Sequence, residues 1–262
     1  MPELPSVETF KQYFDSTSLN QNIEKVVVNN PEILIETTKK DIKNSIESEF
    51  FVSSSRYGKY LFVSVSNKCL LAFHFGMTGF FKYNSLKKGQ PPHSRISFIF
   101  KNGNTLNFED PRKFGKLSLI ENINNFIEKK KLGPDALEIN QQNFINIFEG
   151  RKGYIKPLLM NQNFLAGIGN LYADEILYQS GIHPLKTANR LKMEDLVVLY
   201  NNMHMVLQKA IKIKDMMLDF PENFLLPHRY PGGKCPEYGK LDIIKVGGRT
   251  TYYCPEKQIL DD

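Results

Sequence analysis

The chain has 262 residues, 41% hydrophobic and 24% charged, which is enough apolar material for a real core and enough length for two ordinary domains. Lys and Arg number 34 against 28 Asp and Glu, a net charge of +6 that favours polyanionic partners without selecting one. Three cysteines do not make a disulfide framework, no apolar run approaches the roughly 18 residues of a membrane span, and the opening MPELPSVETF lacks a basic segment followed by an apolar one; an intracellular protein with no membrane association is expected.

In chain order, PSVETFKQYFDS sets Val7, Phe10 and Phe14 at helical spacing behind a proline suited to a first turn, so a helix is predicted from residue 5 to about 16. The period then falls to two. YLFVSVSNKCLLAFHF and RISFIFKNGNTLNFED read as strand, turn, strand, the second pair joined through Asn102-Gly103. An antiparallel β-rich domain over residues 1–130 follows. From residue 131 the pattern is helical, with NQQNFINIFEG, IKPLLM, GNLYADEILYQSG and MEDLVVLYNNMHMVLQKAI parted by glycine-bearing turns up to residue 221. Residues 222–262 hold LDIIKV, Gly247-Gly248 and RTTYYC, a hairpin with a two-residue loop.

Several of these stretches can carry chemistry. Removal of Met1 leaves Pro2 with a secondary amine that titrates near pH 8 and lower beside a helix start, a nucleophile for carbon able to become an iminium, with Glu3 adjacent to move protons. Lys59 in RYGKYL, His74 and Met77 in HFGMTG, His93 in PPHSRI, and Arg112 and Phe114 in DPRKFG all fall at turns between strands. Cations there can hold phosphates while an apolar side chain enters a base stack, although each residue taken singly also reads as an ordinary turn or core position. AGIGNLYADE puts a glycine turn ahead of a helix with Asn170 in its first turn, an anion site or simply a tight connection; Lys152 and Lys156 lie upstream as phosphate contacts or surface charge.

Taken together, PELPSVET, GKYL, HFGMTG, EDPRKFG, LGPDAL, AGIGNLYADEILYQSGIHP and GGRTTYYC resemble the formamidopyrimidine-DNA glycosylase and endonuclease VIII family over nearly the whole chain. The resemblance implies an α+β fold: an antiparallel β-sandwich flanked by helices, then a helix-two-turn-helix domain ending in a finger-like hairpin, with damaged double-stranded DNA between the lobes. It implies a base-excision repair enzyme, a glycosylase and AP lyase acting through a Schiff base on Pro2, with Glu3 assisting proton transfer. Lys59 would bind phosphate and aid β-elimination, and Arg249 would grip phosphate and serve δ-elimination. Met77, Arg112 and Phe114 would fill the gap left by the extruded base, and His93, Lys152 and Asn170 would contact DNA. A monomer is expected, because one chain makes the whole site.

The chain departs from the family pattern in three places. The finger keeps Cys235 and Cys254 but has Tyr238 and Lys257 at the other two ligand positions, so no cofactor and a zincless finger are expected, with His228 as the one candidate recruit. Ser6 stands where PELPEVET has glutamate, and the segment from Ile211 to Cys235 is short. Both weigh against 8-oxoguanine and leave formamidopyrimidines, oxidised pyrimidines and hydantoins as equal candidates. The rival readings are a catalytically inactive protein that binds damaged DNA or AP sites, and an RNA-binding module that would leave MPE and DPRKFG unexplained.

Overall fold

Glu3 starts the first helix, α1 (Leu4–Ser18), with its own side chain. Its N–H donates to Ser6 Oγ at 3.3 Å and its carboxylate faces the Ser6 N–H, a capping box in which Ser6 is the reciprocal partner. This is a computed structural model and describes residues 1–260. The chain divides into two units, Met1–Lys130 and Lys131–Asp262.

In the first unit α1 is followed by β1 (Ile23–Val28), α2 (Lys39–Ile46), β2 (Phe51–Tyr57), β3 (Tyr60–Val65), β4 (Leu70–His74), β5 (Phe80–Ser85), β6 (Ser94–Phe100), β7 (Asn104–Glu109), β8 (Lys116–Ile120) and α3 (Ile123–Lys129). The strands form two antiparallel sheets, ordered β1-β6-β7-β5 and β2-β3-β4-β8. Alternation explains the layering: Leu61, Val63 and Val65 of β3 point into the shared core, whereas Phe62 points outward to meet Phe126 of α3. Aromatic rings join the sheets across the core, Phe51 with Phe98 at 5.3 Å and Phe73 with Phe108 at 5.8 Å. The unit is an antiparallel β-sandwich. Its Asn102-Gly103 turn spans three residues, 101–103, between β6 and β7 rather than two, with Gly103 at φ +79°.

The second unit contains α4 (Gln141–Phe148), α5 (Ile155–Leu159), α6 (Asn170–Gln179) and α7 (Met193–Lys212), then the hairpin β9 (Asp242–Val246) and β10 (Arg249–Tyr253). Leu196, Leu199, Met203, Val206, Leu207 and Ala210 bury one stripe of α7 at helical spacing, which makes it the long support of the unit. Among the described residues no helix is long and apolar enough to cross a membrane.

Candidate functional site

The first unit carries two groups of candidate residues. Pro2 is half-buried and directly precedes Glu3, which is 2% exposed at the α1 N-cap. Lys59 forms with Gly58 the two-residue loop between β2 and β3, Gly58 taking φ +55°. That loop is braced by Arg56, whose Nε donates to Glu8 Oε2 of α1 at 2.9 Å and whose Nη1 donates to the Gly58 carbonyl at 3.3 Å. Lys59 is only 9% exposed, so it is less open than a turn lysine is expected to be. Its charge is felt by His74, whose imidazole is pushed down to about 4 by burial first and then by Lys59 and Lys130. His74 Nδ1 accepts the Gly76 N–H at 3.2 Å, so the ring is neutral at pH 7 with its remaining proton on Nε2. With Tyr60, Lys116 and Lys130 it lines a small cavity.

The second group is organised by Asp110, which sequence reading did not single out. Its buried carboxylate accepts Thr78 Oγ1–H at 2.5 Å, the Arg112 N–H at 3.3 Å and the Gly115 N–H at 2.6 Å. Its own N–H donates to the His93 carbonyl at 3.0 Å, and its carbonyl accepts Arg95 Nε at 2.7 Å. Three loops therefore meet at one residue. Gly76, at φ +59°, closes the same junction: a Cβ there would lie 2.5 Å from the Phe114 carbonyl carbon. Met77, His93, Arg112 and Phe114 all project from this junction into solvent, and Arg112 lies 5.1 Å from the centre of the Phe114 ring. Two apolar wedges and two basic groups on a stiff mount suit an unstacked duplex. The signal that could have found Asp110 is its place before Pro111, since an aspartate at a turn accepts the backbone donors that follow it.

In the second unit the turn ahead of α6 is held by Gln162, whose Oε1 accepts the Gly167 N–H at 3.0 Å and whose Nε2 donates to the Ile168 carbonyl at 2.7 Å. Asn170 opens the helix, and its Nδ2 donates to the Thr250 carbonyl of β10 at 3.0 Å. Lys152 is exposed, as is Arg249 at the tip of the hairpin, where Gly247 and Gly248 take φ +56° and +75°. The expectation of a surface contact at Lys156 is corrected. Lys156 is 0% exposed, with Nζ 2.7 Å from Asp174 Oδ1 and donating to Thr251 Oγ1 at 2.5 Å, because α5 turns this side chain inward toward a buried carboxylate.

Comparison with known proteins accounts for both units. Residues 1–117 match the formamidopyrimidine-DNA glycosylase N-terminal domain, and residues 132–221 match the formamidopyrimidine-DNA glycosylase H2TH domain, the helix-two-turn-helix module. The chain belongs to the formamidopyrimidine-DNA glycosylase family. It is 33% identical to the formamidopyrimidine-DNA glycosylase of Arabidopsis thaliana over 99% of this chain and 71% of that protein, and 30% identical to that of Mycoplasma mobile over the full length of both. Among solved structures it is similar to the Lactococcus lactis enzyme non-covalently bound to AP-site DNA, with TM-score 0.89 and 29% identity, covering 99% of this chain and all of that one. The same enzyme with Fapy-dG DNA gives 0.90 and 29%, covering 98% and 100%.

The finger of this glycosylase-family chain does not offer a four-ligand zinc site. Cys235 and Cys254 are buried together with Tyr178, Leu225 and Tyr252, and the Tyr178 hydroxyl lies 3.7 Å from Cys235 Sγ. Lys257 Nζ pairs with Glu237 Oε1 at 2.7 Å and sits 4.4 Å from the Tyr178 ring centre, a charged group with no lone pair to give. Tyr238 is exposed, and His228 Nε2 is engaged with the Glu222 carbonyl at 3.0 Å. Among the described residues no three of His, Cys, Asp and Glu are grouped for a metal. The knuckle turns persist all the same, the Gly239 N–H donating to the Cys235 carbonyl at 3.1 Å and the Gln258 N–H to the Cys254 carbonyl at 2.8 Å.

Proposed function

We propose that this chain is a bifunctional DNA glycosylase and AP lyase of base excision repair, acting inside the cell on oxidised bases in double-stranded DNA. Pro2 carries the reading. It stands half-buried ahead of the N-cap of a 15-residue helix and beside the carboxylate of Glu3, so loss of Met1 leaves a secondary amine at the positive end of a helix dipole. Its proton is held less tightly there than on a lysine, and the free amine is available near neutral pH.

The Pro2 nitrogen attacks C1′ of the damaged nucleoside as the glycosidic bond breaks, and the base leaves with the bonding pair and takes up a proton. Glu3 passes a proton to the sugar ring oxygen as the ring opens to the iminium. The iminium acidifies the C2′ hydrogen, whose loss expels the 3′ phosphate, and a second elimination expels the 5′ phosphate before water releases Pro2. Lys59 and Arg249 hold the phosphates that leave. Attack at C1′ requires the nucleotide to be extruded at a cost of a few kcal/mol, which Met77, Arg112 and Phe114 offset by filling the vacated stack. His93, Lys152 and Asn170 contact the DNA. No step passes through a metal, and the finger is read as zincless.

Borohydride trapping on duplexes carrying an AP site, 8-oxoguanine, a formamidopyrimidine or an oxidised pyrimidine tests the proposal. Wild type is expected to form a covalent complex that Pro2→Gly greatly diminishes, and the lesion that traps best identifies the substrate. Tight AP-site binding with no trapping would leave a damage-binding protein without catalysis as the better account.

A further inference from the structure

Arg249 sits at the exposed tip of a hairpin without a four-ligand metal site, yet the strand that carries it is tied down through Thr250, Thr251 and Tyr252. Asp174 of α6 is the centre of the ties. Its Oδ1 faces Lys156 Nζ at 2.7 Å, and its Oδ2 accepts Arg229 Nε at 2.8 Å and the Tyr252 N–H at 3.2 Å. The same two cations continue onto β10. Lys156 donates to Thr251 Oγ1, which donates in turn to the Arg249 carbonyl at 3.1 Å, and Arg229 Nη2 donates to the Thr250 carbonyl at 3.3 Å. Arg229 also lies 4.8 Å from the centre of the Tyr252 ring. At the turn itself, a Cβ on Gly247 would meet Pro157 Cγ at 2.9 Å, so the tip packs closely against the residue after Lys156.

We infer that Asp174, with Lys156 and Arg229, is a positioning cluster that sets where Arg249 is presented, working through Thr250, Thr251 and Tyr252 in the place a zinc site would otherwise hold the hairpin. The physical ground is the cost of burial. Lys156 and Asp174 are each shut off from water, so each charge is tolerable only while the other stays in place, and Thr251, as an acceptor for Lys156, is drawn to the same pair.

The inference rests on the phosphate role proposed for Arg249, and its test separates the two. Thr251→Val keeps the shape of the side chain and the Lys156–Asp174 pair but cuts the relay to the Arg249 carbonyl; Asp174→Asn removes the centre. Trypsin cleavage after Arg249, followed by mass spectrometry on the free protein, is expected to quicken by roughly fivefold or more in both variants, a readout that needs no activity. On AP-site duplex the same variants are expected to shift products from δ- toward β-elimination by a similar factor, while the rate of borohydride trapping through Pro2 stays within about twofold of wild type. Arg229→Lys, which keeps the charge and gives up the contact with Thr250, should fall between. Should Asp174→Asn fail to fold, Thr251→Val decides alone. Wild-type trypsin kinetics and an unchanged product ratio in Thr251→Val would overturn the cluster's role. Faster cleavage with an unchanged ratio would keep the cluster and remove Arg249 from δ-elimination.

Discussion

The two units hold their outward-reaching residues by opposite means. In the first, the Asp110 carboxylate grips three loops through neutral donors, a hydroxyl and backbone N–H groups. In the second, Asp174 grips the hairpin with two cations, and the neighbouring Glu175 is buried with no cation against it in the hydrogen-bonded set, accepting the N–H groups of Leu225 and Leu226 at 3.2 and 2.7 Å and Gln179 Nε2 at 2.7 Å. Burial pushes the Glu175 carboxyl up to about 7 and the His74 imidazole down to about 4. A carboxylate can order backbone with or without charge, but the choice decides how each unit answers to pH and to mutation.

The largest expected effect is at Asp110. Asp110→Ala leaves the Gly115 N–H and the Thr78 hydroxyl without their acceptor and the Arg112 N–H with Thr78 Oγ1 alone, at a cost of about 3 kcal/mol, measured as a lower midpoint in urea together with weakened binding to an AP-site duplex. A variant as stable as wild type would mean that the three loops hold each other without Asp110.

Acidification comes next, and its sign differs between His74 and Glu175. His74 has a folded pKa below its ordinary 6.5, so the unfolded chain binds the extra proton and the first unit loses about 2 kcal/mol between pH 7 and 5. Glu175 has a folded pKa above its ordinary 4.5, so the folded chain binds the extra proton and the second unit gains a similar amount over the same range, a contribution complete below the unfolded pKa and lost as pH rises through about 7. Amide hydrogen exchange at pH 7 and 5, corrected for intrinsic rates and compared with the Gln variants, should therefore show His74 favouring opening of the first unit and Glu175 opposing opening of the second on acidification. His74→Gln should flatten the first response and Glu175→Gln the second; parallel responses in both units would break the comparison.

A smaller effect is expected at Gly76, where alanine must take φ +59° and press on the Phe114 carbonyl. About 1–2 kcal/mol of stability and a displaced Phe114 should follow, seen as reduced affinity for gapped or AP-site duplex with base-paired DNA binding little changed. The smallest is at the finger. Elemental analysis should find no zinc, and a strong chelator should leave the melting temperature and the AP-site cleavage rate as they were; one tightly bound zinc per chain would overturn the zincless reading.

Much of this was legible from short stretches. The start of α1 follows from Pro5 and the residues at its cap, and the finger turn from Gly247-Gly248, because these features depend on neighbours a few positions away. Motif order carried the family, and local spacing placed Pro2 ahead of the first helix, Glu3 at its N-cap and Arg249 at the hairpin tip. The short, half-exposed strands were harder: β5 reads FFKYNS with no clean alternation, and it is a strand because β7 pairs with it residue by residue.

By itself, then, the sequence determined the family, the class of domains and which residue types stand at which turns, since all of these are written in local spacing. Only the tertiary structure decided which of those residues face water. Lys156 looks like any lysine before a proline until Thr251, 95 positions later, lies against it, and Asp110 becomes a hub only when Thr78, 32 positions earlier, folds over it. Burial and partnership are made between distant parts of a chain, and for a charged side chain they decide whether it stands open to solvent or is held in the interior by a partner.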